Sequence, residues 1–410
     1  MERVVITGMG AISPLGNDVD TMWTRMLRGE SGISLIDTFD TSRHKAKIAG
    51  LVKDFDAEAR FGRKEARKMD RFCQFALAAA EQALEDSGLQ LDRIDKDRFG
   101  VYVGSGIGGI QSLLEQHSVL LARGAERVSP VLVPMMISNM AAALISIRYG
   151  AMGPTLSPVT ACSIGNTAIG EAFRLIRAGG ADVVIAGGTE AAITEISLAS
   201  FGNATALSCR NDEPAQASRP FDADRDGFVM AEGAGILIIE AYSHAQRRNA
   251  PIYGEVIGYG ASSDAYHMVA THPEGTGAYL AMKQALNEAS LKPSDVDVIS
   301  AHATSTEIGD RSETAAIKRL LGDAAYSTPV TANKSMTGHM LGAAGGIEAI
   351  ALAKSLQQGV IPPTINLLRS DPACDLDYVP NTARQDQLQV GMSNSFGFGG
   401  HNAVIVLRSI

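Results

Sequence analysis

The stretch Val159–Gly170, VTACSIGNTAIG, sets one cysteine where an apolar, strand-like run turns into a helix. Beyond Cys162, the residues Ile164, Ala168, Ala172, Leu175 and Ile176 recur at helical spacing, while Glu171, Arg174 and Arg177 face elsewhere. Cys162 then falls in the first turn, where unpaired N–H groups and the helix dipole favour a thiolate. A dipole contribution of about 1 kcal/mol lowers a thiol pKa by less than about one unit. A nucleophilic Cys162 therefore needs a second source of activation, and histidine is the usual one; a small buried residue at a helix start fits the same pattern.

Outward from this stretch, short β-rich runs alternate with amphipathic helices. Strands are expected at 4–8, 100–106, 183–188, 236–240, 297–303 and 402–407, and helices near 18–29 and 70–87. Gly88 and the pair Gly179-Gly180 sit where helices end. This alternation is an α/β pattern. VTACSIGNTAIG has an echo in VTANKSMTGHMLGAAGG (330–346): both read Val-Thr-Ala, a reactive type of residue, then a Gly-punctuated helix. The echo suggests an internally duplicated fold with a boundary near residue 250, dividing the chain into 1–250 and 251–410.

The 410 residues suit two packed halves with a sizeable core. A net charge of −9 argues against general affinity for nucleic acid or an anionic membrane. No apolar run reaches the roughly 18 residues a bilayer span needs, and MERVVITGMG enters a strand directly, so a cytoplasmic protein is expected. Cys73, Cys162, Cys209 and Cys374 are too scattered for a disulfide framework or paired zinc ligands.

Two histidines lie in Gly/Thr-rich segments at expected strand ends: His302 in AHATSTEIGD, and His339, with Lys334, in NKSMTGHMLGAAGG. Neither has HExxH spacing, so no metal is expected. Each histidine also fits a hydrogen-bonded loop residue, Lys334 a solvated charge, and Asp310 and Glu313 the N-terminal charges of a helix at 310–321. In RFGRKEARKMDR (60–71), Arg60, Lys64, Arg67 and Arg71 fall at helical spacing beside Arg63 and Lys68, a basic stripe on an acidic chain.

TACSIG, AHATSTEIGD, NKSMTGHMLGAAGG and SNSFGFGGHN together resemble the β-ketoacyl-acyl carrier protein synthases, most closely the type II elongating condensing enzymes. The resemblance runs nearly end to end, through GMGAISPLG, GSGIGG, GGTEA and RPFDADRDGFVMAEGAG. It implies a thiolase-like α/β fold of duplicated βαβαβ halves in five alternating layers, and a homodimer. It implies decarboxylative condensation of malonyl-carrier protein with an acyl chain held on Cys162, the nucleophile. His302 and His339 would donate to the malonyl thioester oxygen. Lys334 would bias the electrostatics with Glu313 as its carboxylate partner, and Asp310 would support the site. Phe398 would gate the acyl chain beside the flexible Gly399, and its N–H, with that of Cys162, would hold the acyl oxyanion. Thr304 and Thr306 would meet the phosphopantetheine arm, Phe396 the substrate, and Ile107 would line the acyl pocket at the subunit interface. Lys64, Arg67 and Lys68 would dock acyl carrier protein. Phosphopantetheine would arrive on that partner, leaving the enzyme no cofactor of its own.

Ala303 stands where the family usually shows glycine, and Ser-Ile-Gly-Asn follows Cys162 in place of the commoner Ala-Thr-Gly-Thr, which bears on chain-length preference. A thiolase would need a second cysteine as base near the C-terminus, a starter-type enzyme an asparagine for one histidine, and a chain-length partner would lack the nucleophile. A discrete polyketide ketosynthase is the nearest alternative. GMG and GSGIGG do not complete a dinucleotide fingerprint.

Overall fold

The computed structural model describes residues 1–410. Ten strands form its main sheet: β1 (Val4–Ile12), β2 (Phe99–Gly104), β3 (Thr155–Leu156), β4 (Val183–Glu190), β5 (Gly233–Ala241), β6 (Gly254–Ser263), β7 (Val298–Ser300), β8 (Val330–Thr331), β9 (Val390–Gly397) and β10 (His401–Arg408). Their order is β8-β7-β9-β10-β6-β1-β5-β4-β2-β3. The two halves mirror each other about the antiparallel β1–β6 pair. In the first, β2 lies parallel to β3 and β4, and β5 runs antiparallel to β4 and β1. In the second, β7 lies parallel to β8 and β9, and β10 runs antiparallel to β9 and β6.

Helices complete five layers. α1 (Arg71–Ser87) covers the outer face of the first half; α2 (Ile164–Arg177) and α5 (Ala344–Gln358) fill the middle. α3 (Thr276–Ala289) and α4 (Glu307–Leu321) cover the second half. Strand alternation divides the apolar side chains: Leu237, Ile239, Ala403 and Ile405 join the central core, Ile236 and Ile238 face α1, and Val404 and Val406 face α3.

The helix ends follow the local chemistry. Asp70 caps α1 through Phe72 N, Gly88 closes it at φ 61, and Gly179, at φ 77, follows α2. Three sequence expectations shift. The strand at 297–303 shortens to Val298–Ser300, and α4 begins at Glu307, three residues before the expected start. The duplication echo is out of register: Val330–Thr331 is strand, whereas Val159 and Thr160 lie in the loop after β3. The structural counterparts are the short 3₁₀ turns Ala161–Ser163 and Leu341–Ala343, each opening a central helix and each starting on a left-handed residue, Ala161 at φ 51 and Leu341 at φ 47.

The central helices meet at backbone distance. A Cβ on Gly165 would lie 2.4 Å from Gly346 N, and one on Gly345 2.7 Å from Asn166 N. Gly165→Ala is therefore expected to destabilise the fold by at least about 2 kcal/mol, as overpacking against rigid backbone does. Gly202→Ala, in a helix with open space around it, should instead stabilise by about 0.5–1 kcal/mol. Denaturant midpoints of the two variants test the contrast.

Candidate active site

Cys162 is buried in its 3₁₀ turn, which Ser163 Oγ braces by donating to Thr160 O (2.7 Å) and Thr167 Oγ1 by donating to Ser163 O (2.9 Å). Gly397 passes so close that a Cβ there would stand 3.0 Å from Cys162 N. This approach brings the N–H of Phe398 to the cysteine sulfur. Burial pushes the Cys162 thiol up to about 12; Lys334 pulls it down, Glu190 raises it, and the N–H groups of Phe398 and Cys162 lower it. The helix start by itself thus leaves a thiol, and a thiolate depends on Lys334 and the two amides.

His302 sits just beyond β7. Its N–H donates to Glu313 Oε1 (2.9 Å) and that of Ala303 to Oε2 (2.8 Å), while Asn394 Nδ2 also donates to Oε1 (3.0 Å). His339 follows the short helix Lys334–Thr337; its N–H donates to Val229 O (2.7 Å), and its carbonyl accepts from Ala231 N (2.9 Å). The two imidazoles stand edge to face, centroids 5.4 Å apart. Burial holds both well below the usual histidine range, and Lys334 lowers both further. Nδ1 of each ring is sealed without a protein partner. The charge of Lys334 acts on Cys162, His302 and His339 alike, which locates the four in one region.

The carboxylate in contact with the Lys334 ammonium is Glu348 on α5, not Glu313. Glu313 is occupied by the backbone of His302 and Ala303, so it positions the histidine loop. Asp310 does stand in the first turn of α4, with Glu313 beyond it, and both are buried. Asp310 accepts from Phe221 N (2.9 Å) and Ser305 N (3.2 Å) and pairs with Arg225 at 3.3 Å, and burial pushes its carboxyl up to about 7.

Phe396 lies 5.6 Å from the His302 ring, and Thr304 and Thr306 bring their hydroxyls to 3.1 Å. Phe398 is half-exposed beside Phe201, followed by Gly399 at φ 82 and Gly400 at φ 76. Ile107 packs against the cluster of Cys162, Ala192 and Leu341. The basic segment is not one helical stripe. Gly62 (φ 79) separates helices Ala57–Phe61 and Arg63–Ala66. Arg71 turns inward to Glu232 (2.9 Å) and Arg60 pairs with Glu81 (2.9 Å). Lys64, Arg67 and Lys68 remain exposed, Arg67 3.5 Å from Glu58 and Lys68 2.8 Å from Glu65.

Sequence reasoning missed Glu348 and Glu190, though each had a signal: a lone carboxylate in an otherwise apolar run, GGIEAI and VVIAGGTEAA. Such a charge is seldom buried without a partner.

The buried imidazoles make stability acid-sensitive. Both stay neutral in the folded protein but titrate near 6.5 when unfolded, so below that pH the unfolded chain binds more protons. Their contribution is whole above about pH 7 and is lost as pH falls, approaching about 1.4 kcal/mol per pH unit for each ring between about pH 6 and 5. Urea unfolding across this range is expected to show a shallower fall in the His302→Ala/His339→Ala protein than in the wild type. Equal slopes would contradict the buried, neutral assignment.

Residues 1–245 match the family model for the beta-ketoacyl synthase N-terminal domain and residues 253–368 that for its C-terminal domain. The chain is 51% identical over 407 residues to 3-oxoacyl-[acyl-carrier-protein] synthase 2 of Synechocystis, covering 99% of this chain and 98% of the relative. To the Staphylococcus aureus (strain COL) protein of the same name it is 50% identical, with the same coverage. Among solved structures, a beta-ketoacyl synthase from Burkholderia phymatum superposes with a TM-score of 0.92 at 34% identity, covering 100% of both chains. A type II polyketide ketosynthase in complex with its acyl-carrier protein and bound to the hexaketide gives 0.92 at 36%, covering 100% of this chain and 99% of that one. Matched along both halves and carrying this fold, the chain belongs to the β-ketoacyl synthase family.

Proposed function

We propose that this protein is a 3-oxoacyl-[acyl-carrier-protein] synthase of the type II fatty acid system. In the first step, the Cys162 sulfur attacks the acyl thioester on the carrier; the new S–C bond forms as the old one breaks, and the thiol proton leaves with the pantetheine sulfur. One thioester replaces another, so the acyl group stays reactive. The N–H groups of Cys162 and Phe398 hold the oxyanion.

In the second step, malonyl-carrier protein loses carbon dioxide, and the electron pair of the broken C–C bond moves toward the thioester oxygen. His302 and His339, neutral and each carrying one N–H, donate to that oxygen; burial, reinforced by Lys334 anchored on Glu348, keeps them unprotonated. The carbanion attacks the acyl carbon, Cys162 departs, and a β-ketoacyl chain two carbons longer remains on the carrier. Thr304, Thr306 and Phe396 meet the arm and substrate, and Phe398 with Gly399 gates the passage. The carrier's phosphopantetheine supplies the thiol, and we assign no metal or resident cofactor.

One observation carries this reading: two imidazoles 5.4 Å apart, both held neutral by burial and by a lysine whose charge also acts on the buried cysteine. The identities of 50–51% with the 3-oxoacyl synthases, against 36% with the polyketide ketosynthase, favour fatty acid over polyketide chains. Thiolase chemistry is disfavoured, because Cys374 packs in the outer core of the second half, apart from the Cys162 cluster.

We place the division of labour at residue 250, with the nucleophile in 1–250 and the histidines in 251–410. Lys64, Arg67 and Lys68 are the proposed dock for acyl carrier protein in the cytoplasm; no helix is long and apolar enough to cross a membrane. A second copy is proposed to cover the face around Ile107 and the edge strand β3, where Leu121, Ile147 and Met152 are 74%, 75% and 73% exposed.

Intact-mass measurement after incubation with acyl-carrier protein should show one added acyl group, absent in Cys162→Ala. His302→Ala and His339→Ala should still acylate while malonyl decarboxylation falls about 10²–10³-fold, the usual loss for one preorganised donor; wild-type condensation in either would remove these roles. In sedimentation the protein should run as a dimer and the Ile147→Lys/Met152→Lys variant as a monomer, whereas a monomeric wild type would remove the dimer.

A further inference from the structure

Glu190 ends β4 and is fully buried. Its Oε1 accepts from Ser105 Oγ (2.8 Å) and Ile107 N (3.1 Å), and its Oε2 from Gly106 N (2.9 Å) and Gly342 N (3.1 Å). These donors come from two segments distant in the chain, the 105–107 turn after β2 and the 3₁₀ turn that opens α5. Each turn carries one wall of the apolar cluster around Cys162: Ile107 from the first and Leu341 from the second. The approach is close, since a Cβ on Gly106 or Gly342 would stand 2.9 or 3.0 Å from Oε2.

We propose that Glu190 is the positioning residue of the acyl pocket, setting the gap between Ile107 and Leu341 and hence which acyl chains Cys162 accepts. This assignment rests on Cys162 being the acyl acceptor, as proposed above. Burial raises the Glu190 carboxyl, while three backbone N–H groups and the Ser105 hydroxyl, converging on two oxygens, lower it and favour the ionised form. A glutamine would point its NH₂ at two N–H or O–H groups and release one wall. Gly106 and Ile107 also line a groove of about 430 Å³ with Ile110, Leu113 and Met136, so a shift of this turn reshapes the groove as well. The carboxylate lies near enough to Cys162 for its charge to raise the thiol, and its loss has an electrostatic signature separate from packing.

The test compares wild type, Glu190→Gln and Ser105→Ala as full-length proteins. Three quantities are measured: Cys162 acylation by carrier protein loaded with short, medium or long chains, malonyl-carrier decarboxylation, and the pH dependence of Cys162 alkylation by iodoacetamide. Glu190→Gln is expected to change the long-to-short acylation ratio by about tenfold, the factor commanded by one charge-assisted hydrogen bond. Decarboxylation should change far less, and the alkylation profile should move to lower pH. Ser105→Ala, which loses one of the four bonds, should shift the ratio the same way by a smaller factor, and it decides the matter if the glutamine variant does not fold. An unchanged ratio, or acylation at all lengths falling in step with decarboxylation, overturns the assignment. If wild type takes up no acyl group at Cys162, the proposed function fails instead, and that result is separate from the ratio.

Discussion

The contact on which the site depends is the meeting of α2 and α5 at backbone distance. Gly165 and Gly345 leave no room for a Cβ, so the N-terminal ends of the two central helices lie against each other, and Gly346 meets Gly235 of β5 equally closely. One end carries Cys162, and the segment leading into the other carries Lys334 and His339. β9 then runs past both, bringing Asn394 to Glu313 and Phe398 to Cys162. A pair of helices separated by ordinary side chains would sit 8–10 Å apart between axes and would move these groups out of register. The catalytic geometry is thus set by two missing side chains between the helices, and a third where α5 meets β5.

Electrostatics then converge on one buried cation. Lys334 is almost fully buried, which an ammonium tolerates only when paired, and Glu348 supplies the pair from one helix turn beyond the glycine contact. The field of that cation falls on a thiol, which it helps to ionise, and on two imidazoles, where it adds to the burial that keeps them neutral. A single charge therefore serves a nucleophile that must lose a proton and two donors that must not gain one. Burial, with a smaller contribution from Glu190, opposes it at the sulfur, so the resting protein holds a thiol.

Local strain follows the same places. Ala161, Leu341, Ala303 and Ser305 all take left-handed φ values without being glycine, each at a cost of about 1–2 kcal/mol. The His302 loop is held in this state by surrounding bonds. Ser305 donates to Asp310 and accepts from Gly227 N and, at Oγ, from Arg219 N, while the Arg225 guanidinium bridges the carbonyls of Thr306 and Glu307. The RPFDADRDGF segment, far from the histidines in sequence, is the brace of their turn.

The chain by itself determined the α/β alternation, the helix ends at Gly88 and Gly179, and the residue types of the site, because each is a local property: side-chain periodicity, a left-handed cap, or an unusual residue in an apolar setting. His302, His339, Lys334 and Cys162 were legible as candidates on those grounds and as a set through their family resemblance. Tertiary structure alone decided the partners. Glu348 rather than Glu313 meets Lys334, since the Glu348 side chain on α5 reaches the buried ammonium while α4 offers its carboxylate to backbone N–H groups. The basic run at 60–71 broke into separate helices because Gly62 takes a positive φ and Arg71 found a buried carboxylate. Cys162 titrates high although it stands at a helix start, because desolvation outweighs a dipole contribution of about 1 kcal/mol. Burial and pairing belong to the packed molecule, and no reading of spacing along the chain supplies them.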